Sequence, residues 1–439
     1  VNTANFTGQN IVHEVNVSDK KTVLILSDHP LSPSGVGIQT KYMIEAMLKT
    51  GKYRFFCLGG AIKHHDYRVI KTEEWGDDFI IQPIDGYGTP DMIRSIIRNE
   101  KPCMLWFMTD PRFWGWLWQM EDEIRSLVPM VYYHVWDNHP APIYNKPWYD
   151  STDTIACISK VTKEVVNEVV PDHKDVCYLP HTVDTNVFKK IEDEKELRAK
   201  REEGFKNVEN INNKTIFFWN NRNARRKQSG SLIFWFKKFL DEVGHDKAVL
   251  LMHTDPKDTH GQDLEFIIHH LGLDKGQVFL SRNKIDPEHL SSMYNMSDCT
   301  ISVSDAEGFG LATLESLACE TPIVVTMTGG LQEQVTDGEN WFGIGMEPAS
   351  KAVIGSQEIP FIYEDRLSEE VVVDALKKIH NMTKKERAEL GKAGREHVLK
   401  NYSPEKYAKE WEAVFDRVVE QHGSWDTRKG YKAWELIEV

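Results

Sequence analysis

The chain has 439 residues, 41% hydrophobic and 27% charged, with a formal net charge of −14. That length exceeds what a single core ordinarily organises, so two globular domains are expected, and the acidic balance excludes a broad nucleic-acid or anionic-membrane surface while leaving room for a local basic cluster that serves a phosphate. The first twenty residues lack a basic start and an apolar core, no stretch is long and apolar enough to span a bilayer, and the six cysteines include no Cys-x-x-Cys pair, so no signal peptide, no integral membrane segment, free thiols and a reducing, cytoplasmic compartment are expected.

Residues 22–26 form an apolar run that predicts a short buried strand, followed by a Pro- and Gly-rich loop over 28–37 and a helix over 38–48. Ser34, Gly35 and Gly37 put small residues at a helix N-terminus, a place suited to a diphosphate, although a Gly-x-Gly turn alone is commonly only a turn. Strands over 54–58, 104–108 and 130–134 alternate with helices over 89–99 and 113–126, which implies a parallel, doubly wound sheet. Ligands sit beyond the carboxyl ends of such strands. Asp110 and Arg112 therefore share a crevice with His134, Trp136 and Asp137, and are expected on its acceptor side. The cluster Trp106, Phe107, Phe113, Trp114, Trp116 and Trp118 could stack on a sugar or touch lipid, but its spacing favours core.

Residues 189–214 are charged and Asn-rich, with little apolar surface, and read as a connector. A strand over 215–219 leads into Asn220-Asn-Arg-Asn-Ala-Arg-Arg-Lys227, where four cations repel one another unless an anion joins them. Further strands are expected over 248–253, 278–280, 300–303 and 323–326. After the run at 300–303 comes Glu307-Gly308-Phe309-Gly310 and then a helix over 311–319. The glycines let main chain approach a ligand where free helix amides favour an anion. Glu315 lies flush with Leu311, Ala318 and Cys319, and a carboxylate on a buried face needs hydrogen-bond donors, which two adjacent sugar hydroxyls would supply. Residues 404–418 form an amphipathic helix with Tyr407, Trp411, Val414 and Phe415 on one face. The chain holds no Asp-x-Asp and no His-Glu-x-x-His, so no metal site is expected.

The Glu307-x7-Glu315 pattern within EGFGLATLESLACETPIVVTMTGGLQEQVTDG resembles the donor-site signature of glycosyltransferase family 4, retaining enzymes of the GT-B fold. The resemblance implies two Rossmann-like domains with doubly wound parallel sheets facing a cleft: residues 1–189 on the acceptor side, a connector over 190–214, a nucleotide-sugar domain over 215–400, and a C-terminal helix and tail over 401–439 that cross back onto the first domain. It implies that Glu307 contacts the donor sugar and Glu315 the ribose, that the amides of Gly308, Phe309, Gly310 and Leu311 face sugar and diphosphate, that Arg222 and Lys227 hold the diphosphate, that Asn283 and Lys284 approach the base, that Gly35 and Gly37 line the donor or acceptor site, and that His134 lies near the reacting centre. Asn221 and Gln228 stand where the family has glycine, and His181 and Thr182 where it has Asn and Gly. The expected reaction moves a sugar from a UDP- or GDP-sugar to a hydroxyl of a carbohydrate, lipid-linked or protein acceptor, with retention and without metal. A sugar phosphorylase, a nucleotide-sugar epimerase and a non-catalytic nucleotide-sugar binder are the alternatives.

Overall fold

The computed structural model describes residues 20–173 and 175–432; the polar leader before residue 20 and residues 433–439 lie outside them. Eight strands, β1 (Lys21–Asp28), β2 (Tyr53–Gly60), β3 (Ile70–Thr72), β4 (Gly76–Pro83), β5 (Met104–Met108), β6 (Met130–His134), β7 (Thr154–Cys157) and β8 (Val176–Tyr178), form one sheet in the order β3-β4-β2-β1-β5-β6-β7-β8. Its pairs are parallel apart from β3 with β4. A second, all-parallel sheet holds β9 (Thr215–Asn220), β10 (Ala248–His253), β11 (Val278–Ser281), β12 (Cys299–Ser302), β13 (Ile323–Thr326) and β14 (Gly343–Met346) in the order β11-β10-β9-β12-β13-β14. In each sheet the first strand is central and chain progress reverses beside it, which creates a crevice between β1 and β5 and another between β9 and β12. Two domains of GT-B architecture result.

The strands expected from continuous apolar runs are buried along their length, as parallel strands covered on both faces must be. One core joins the domains: Val23, Ile25, Trp106 and Tyr133 of the first belong to the same buried cluster as Phe218, Phe309 and Leu314 of the second. The helix Pro404–His422, opened by the Ser403 cap and Pro404, buries Tyr407, Trp411, Val414, Phe415 and Val418. Trp411 lies 5.7 Å from Trp106 and 4.9 Å from Tyr133, and Phe415 lies 5.2 Å from Tyr53, ring centre to ring centre. At about 1.5–3 kcal/mol for each large apolar side chain buried, this crossing helix fastens the end of the chain to the first sheet.

Three expectations need correction, and one element comes without any. The single helix over 113–126 is broken into a 3-10 turn Pro111–Trp114 and helices Gly115–Trp118 and Glu121–Arg125, because the backbone leaves helical geometry at Trp114 (φ −104°, ψ 9°) and Met120 (φ −117°, ψ 18°). The breaks let Trp114, Leu117 and Trp118 enter the core while Phe113 stays exposed. The first helix starts at Gly35, with Ser34 capping the Gly37 amide, so Gly35 and Gly37 lie in its first turn rather than in a loop. The connector carries apolar anchors of its own, Phe205 and Ile211. Finally, β15 (Ser350–Ile354) and β16 (Ile362–Arg366) form an antiparallel hairpin that the sequence pattern does not announce.

Candidate functional site

The loop between β12 and the helix Leu311–Ala318 is held from behind by glycines that lie too close to it to leave room for a side chain. Gly329, at φ 48°, lies so close to Glu307 that an added Cβ would meet the Glu307 carbonyl oxygen at 1.9 Å, and Gly330 donates its amide to that oxygen at 3.1 Å. Gln334 donates to the carbonyls of Phe309 (2.7 Å) and Gly310 (3.0 Å), and Gly310 takes φ 95° against Leu331. These bonds occupy the loop's carbonyls, so its amides can face the crevice. The Phe309 ring is buried against His181 and Tyr402 at 5.2 and 5.6 Å, which restricts this residue to a main-chain role in the site.

On the opposite side of the crevice, the loop after β9 ends in a 3-10 turn Arg225–Lys227. Gln228, standing where glycine is usual, keeps a left-handed backbone (φ 55°, ψ 34°) and is held there by bonds from its amide to Asp305 at 2.7 Å and from Ser231 at 2.6 Å. The turn carries Lys227 onto Glu307, an ion pair whose side chains are 9% and 13% exposed. Burial alone would push Glu307 up, but Lys227 and Arg226 hold it below the usual carboxylate range; burial lowers Lys227 while Glu307 opposes that shift. Arg226 donates to the Ala306 carbonyl and bears electrostatically on Glu307, Lys227 and Asp137.

Arg222 goes elsewhere. Its Nε meets Asp258 at 2.6 Å, its Nη2 meets Asp258 and His260 at 3.2 and 2.7 Å, and the side chain is 61% exposed. The structure therefore brings Arg226, and not Arg222, to the Lys227–Glu307 pair. Five-residue spacing from Lys227 selects Arg222, and nothing within that loop could announce that a carboxylate 36 positions later would claim it. Arg225 is drawn to the hairpin, where Glu364 takes both its terminal nitrogens at 2.8 and 2.7 Å.

Glu315 faces inward from its helix and accepts from the Tyr294 hydroxyl at 2.7 Å, and that hydroxyl accepts from Asn220 at 2.8 Å. The Tyr294 bond uses Oε2; Oε1 has no partner among the described residues. Burial pushes the Glu315 carboxyl up to about 7, so hydroxyl donors arriving at it would favour its charged form. Tyr42, from the first domain, lies within electrostatic reach of it. Asn283 and Lys284 are exposed on the segment that follows β11.

From the first domain, Gly35 comes so close to Leu311 that an added Cβ would sit 3.0 Å from its Cδ1, and the N-termini of two helices, one per domain, converge there. Gly37 is packed against Ser32 and the His29 carbonyl instead. His134 is fully buried, its Nε2 2.7 Å from the Tyr149 hydroxyl and its ring 4.7 Å from Tyr132, and burial lowers it to about 3. Its imidazole is thus a neutral part of the wall behind β6, and beyond it the Val135 carbonyl and the Asp137 side chain come up to Gly308. Trp136 is buried and donates to the Asn138 carbonyl at 2.9 Å. Asp137 is pushed up to about 6, first by burial and partly by Glu307, with Arg226 and Lys227 opposing. Asp110 and Arg112 pair with each other at 2.9 Å. The two residues that depart from the usual turn have structural work: His181 bonds Tyr133 at 2.8 Å, and Thr182 exchanges two bonds with Gln39 at 2.8 and 3.1 Å. Among the described residues no group of three or more His, Cys, Asp or Glu is arranged to hold a metal ion.

Residues 200–397 match the family model of glycosyl transferases group 1. The chain is 23% identical over 266 residues to N-acetyl-alpha-D-glucosaminyl L-malate synthase of Bacillus anthracis, an alignment covering 61% of this chain and 60% of that protein. It is 35% identical over 97 residues to D-inositol 3-phosphate glycosyltransferase of Acidothermus cellulolyticus, 22% of this chain and 21% of that protein. The matches thus span less than two thirds of these relatives. Among solved structures, sucrose-phosphate synthase of Thermosynechococcus elongatus superposes with a TM-score of 0.71 at 16% identity, covering 91% of this chain and 100% of that one. HepE of Anabaena in complex with UDP and glucose superposes with a TM-score of 0.64 at 12% identity, covering 90% and 100%. Signature and family model agree on one region: residues 200–397 are similar to glycosyl transferases group 1, and the chain as a whole has the GT-B fold of these solved structures.

Proposed function

We propose that the protein is a retaining glycosyltransferase that moves a sugar from a UDP- or GDP-linked donor to an acceptor hydroxyl without a metal ion. The observation that carries the reading is the Lys227–Glu307 pair with Arg226 beside it, Glu307 being on the loop that runs into the helix whose N-terminus meets Gly35 and which carries Glu315. When a donor enters, its diphosphate takes Lys227 and Arg226, which frees Glu307 to accept sugar hydroxyls. The free oxygen of Glu315 accepts from the ribose. As the anomeric carbon–oxygen bond breaks, charge grows on the leaving diphosphate, and in this reading the two cations and the amides at Gly308–Leu311 offset it. The acceptor oxygen bonds to the anomeric carbon from the same face, and its proton passes to the departing phosphate oxygen. No side chain at this centre is placed as a covalent nucleophile in the proposal, and His134 acts only by shaping the wall.

Support also comes from HepE, whose structure is a complex with UDP and glucose, and from L-malate and D-inositol 3-phosphate, both hydroxyl compounds, in the relatives' names. The free cysteines, five of six buried, support a reducing, cytoplasmic compartment. The test is nucleoside diphosphate release from UDP- and GDP-sugars with and without a panel of hydroxyl acceptors. Acceptor-dependent release with a glycosidic product supports the transferase. Release into phosphate, sugar epimerisation, or binding without turnover would each replace it with one of the alternatives.

A further inference from the structure

Resting on the transferase reading, we propose that the acceptor is a polyhydroxylated molecule without negative charge, a neutral or amine-bearing glycan, received in a cavity between residues 137–139 and the β15–β16 hairpin. The cavity measures about 550 Å³, inside the roughly 300–1,000 Å³ range of small-molecule sites. It adjoins the donor loop. Asp137 and Gly329 both line it; a Cβ on Gly308 would lie 4.0 Å from Asp137 Oδ2, and Gly329 touches the Glu307 carbonyl. An acceptor hydroxyl that passes Asp137 therefore arrives beside the residues that would hold the donor sugar.

The hairpin makes this a two-domain enclosure. The Tyr363 amide donates to the His139 carbonyl at 2.6 Å, Asn138 donates to the Tyr363 carbonyl at 2.8 Å, and the Tyr144 hydroxyl donates to the Phe361 carbonyl at 3.2 Å. From behind, Arg366 grips Asp305 at 2.6 Å and Glu364 at 3.2 Å. The floor is thus built by main-chain bonds and by ion pairs whose carboxylates are buried, and it stands before any ligand arrives.

Charge then selects the occupant. The lining brings the carboxylates of Asp137, Glu164, Glu347 and Asp365 together with one ammonium, Lys351, which rests over the Tyr363 ring at 5.7 Å, and with His139. Ionised carboxylates only accept hydrogen bonds, so groups that satisfy them are hydroxyls and ammonium groups. A phosphate or carboxylate on the acceptor would face like charge and lose the arginines to their existing partners. In this respect the chain departs from relatives whose names carry malate and inositol 3-phosphate.

The test is saturation-transfer NMR on the whole protein, with UDP or GDP present, using the methyl glycosides of glucose, glucosamine and glucuronic acid as probes. The glucoside and glucosaminide should bind at least ten-fold more tightly than the glucuronide at low salt. A Glu164→Gln/Glu347→Gln double variant should shrink that gap while its Tm stays within a few degrees of the parent. A glucuronide that binds equally or better overturns the inference, as does failure of all three probes to bind while UDP or GDP still raises Tm. If neither nucleotide raises Tm, the transferase reading itself fails, and this inference fails with it.

Discussion

Arg226→Ala and Arg222→Ala should separate cleanly in turnover. Arg226 donates into the loop carbonyl beside Glu307 and acts on Lys227 and Asp137, all enclosed between the domains. Removing one preorganised group that offsets transition-state charge costs about 10²–10³ in turnover, or roughly 2.7–4 kcal/mol. Arg222 is 61% exposed and already spent on Asp258. An exposed pair of that kind contributes about 0–1 kcal/mol, so its loss should reduce turnover no more than about five-fold. The assay is nucleoside diphosphate release at saturating donor, with Tm measured in parallel so that misfolding is not mistaken for lost chemistry. Arg226→Lys, which keeps the charge but not the forked geometry, should recover part of the rate. A loss in Arg222→Ala as large as in Arg226→Ala would refute the reasoning, because it would mean that the Arg222 guanidinium leaves Asp258 for the diphosphate when the donor binds.

Burial lifts Glu315 to about 7 in the folded protein against about 4.3 in an unfolded chain; the native state therefore holds the extra proton between those values, and the stability it contributes is lost as pH rises through that window. Glu315→Gln should accordingly gain Tm relative to the parent from pH 5 to pH 8, and a difference that stays flat with pH would count against a buried, titrating carboxyl. Gly329→Ala forces a Cβ onto the Glu307 carbonyl at positive φ and should cost roughly 1–3 kcal/mol together with most of the turnover, whereas Gly338→Ala, at φ 99° with open space around it, should leave turnover unchanged; equal activity in the two variants would show that the loop's position is not critical. With Arg226 and Lys227 offsetting the diphosphate, the rate should be undiminished in excess EDTA and an α-linked donor should give an α-linked product by anomeric proton coupling; metal rescue of an EDTA-treated enzyme, or a β product, would remove that mechanism.

Periodicity located the parts that are buried on both faces. Runs such as Met104–Met108, Met130–His134, Ala248–His253 and Ile323–Thr326 match strands end to end, because a covered parallel strand must be apolar throughout and its neighbours need not be. The inward-facing carboxyl of Glu315 was legible from its place on an apolar helix face, and the Lys227 and Glu307 loops from the strands that precede them. Residues decided by distant contacts were not. Arg222 turns outward because of Asp258, Arg226 inward because of the Ala306 carbonyl, and His134 away because Tyr149 offers it a partner. The hairpin at β15 and β16 is short, half-exposed and mixed in polarity, so it gives no period to read, yet its backbone ties the cavity shut. The broken helix after residue 110 failed for a local reason: aromatic residues at helical spacing fit a kinked path equally well when each sinks separately into the core.

Calorimetric titration of UDP and of GDP into the parent protein and into Glu315→Gln tests the nucleotide site most directly. One of the two nucleotides should bind the parent, stabilise it by about 2.7 kcal/mol at a hundred times its Kd, and bind Glu315→Gln more weakly by roughly 1–3 kcal/mol through the lost charge-assisted bonds to ribose. Binding of neither nucleotide, or equal affinity in the two proteins, would contradict a nucleotide-sugar site built on Glu307 and Glu315.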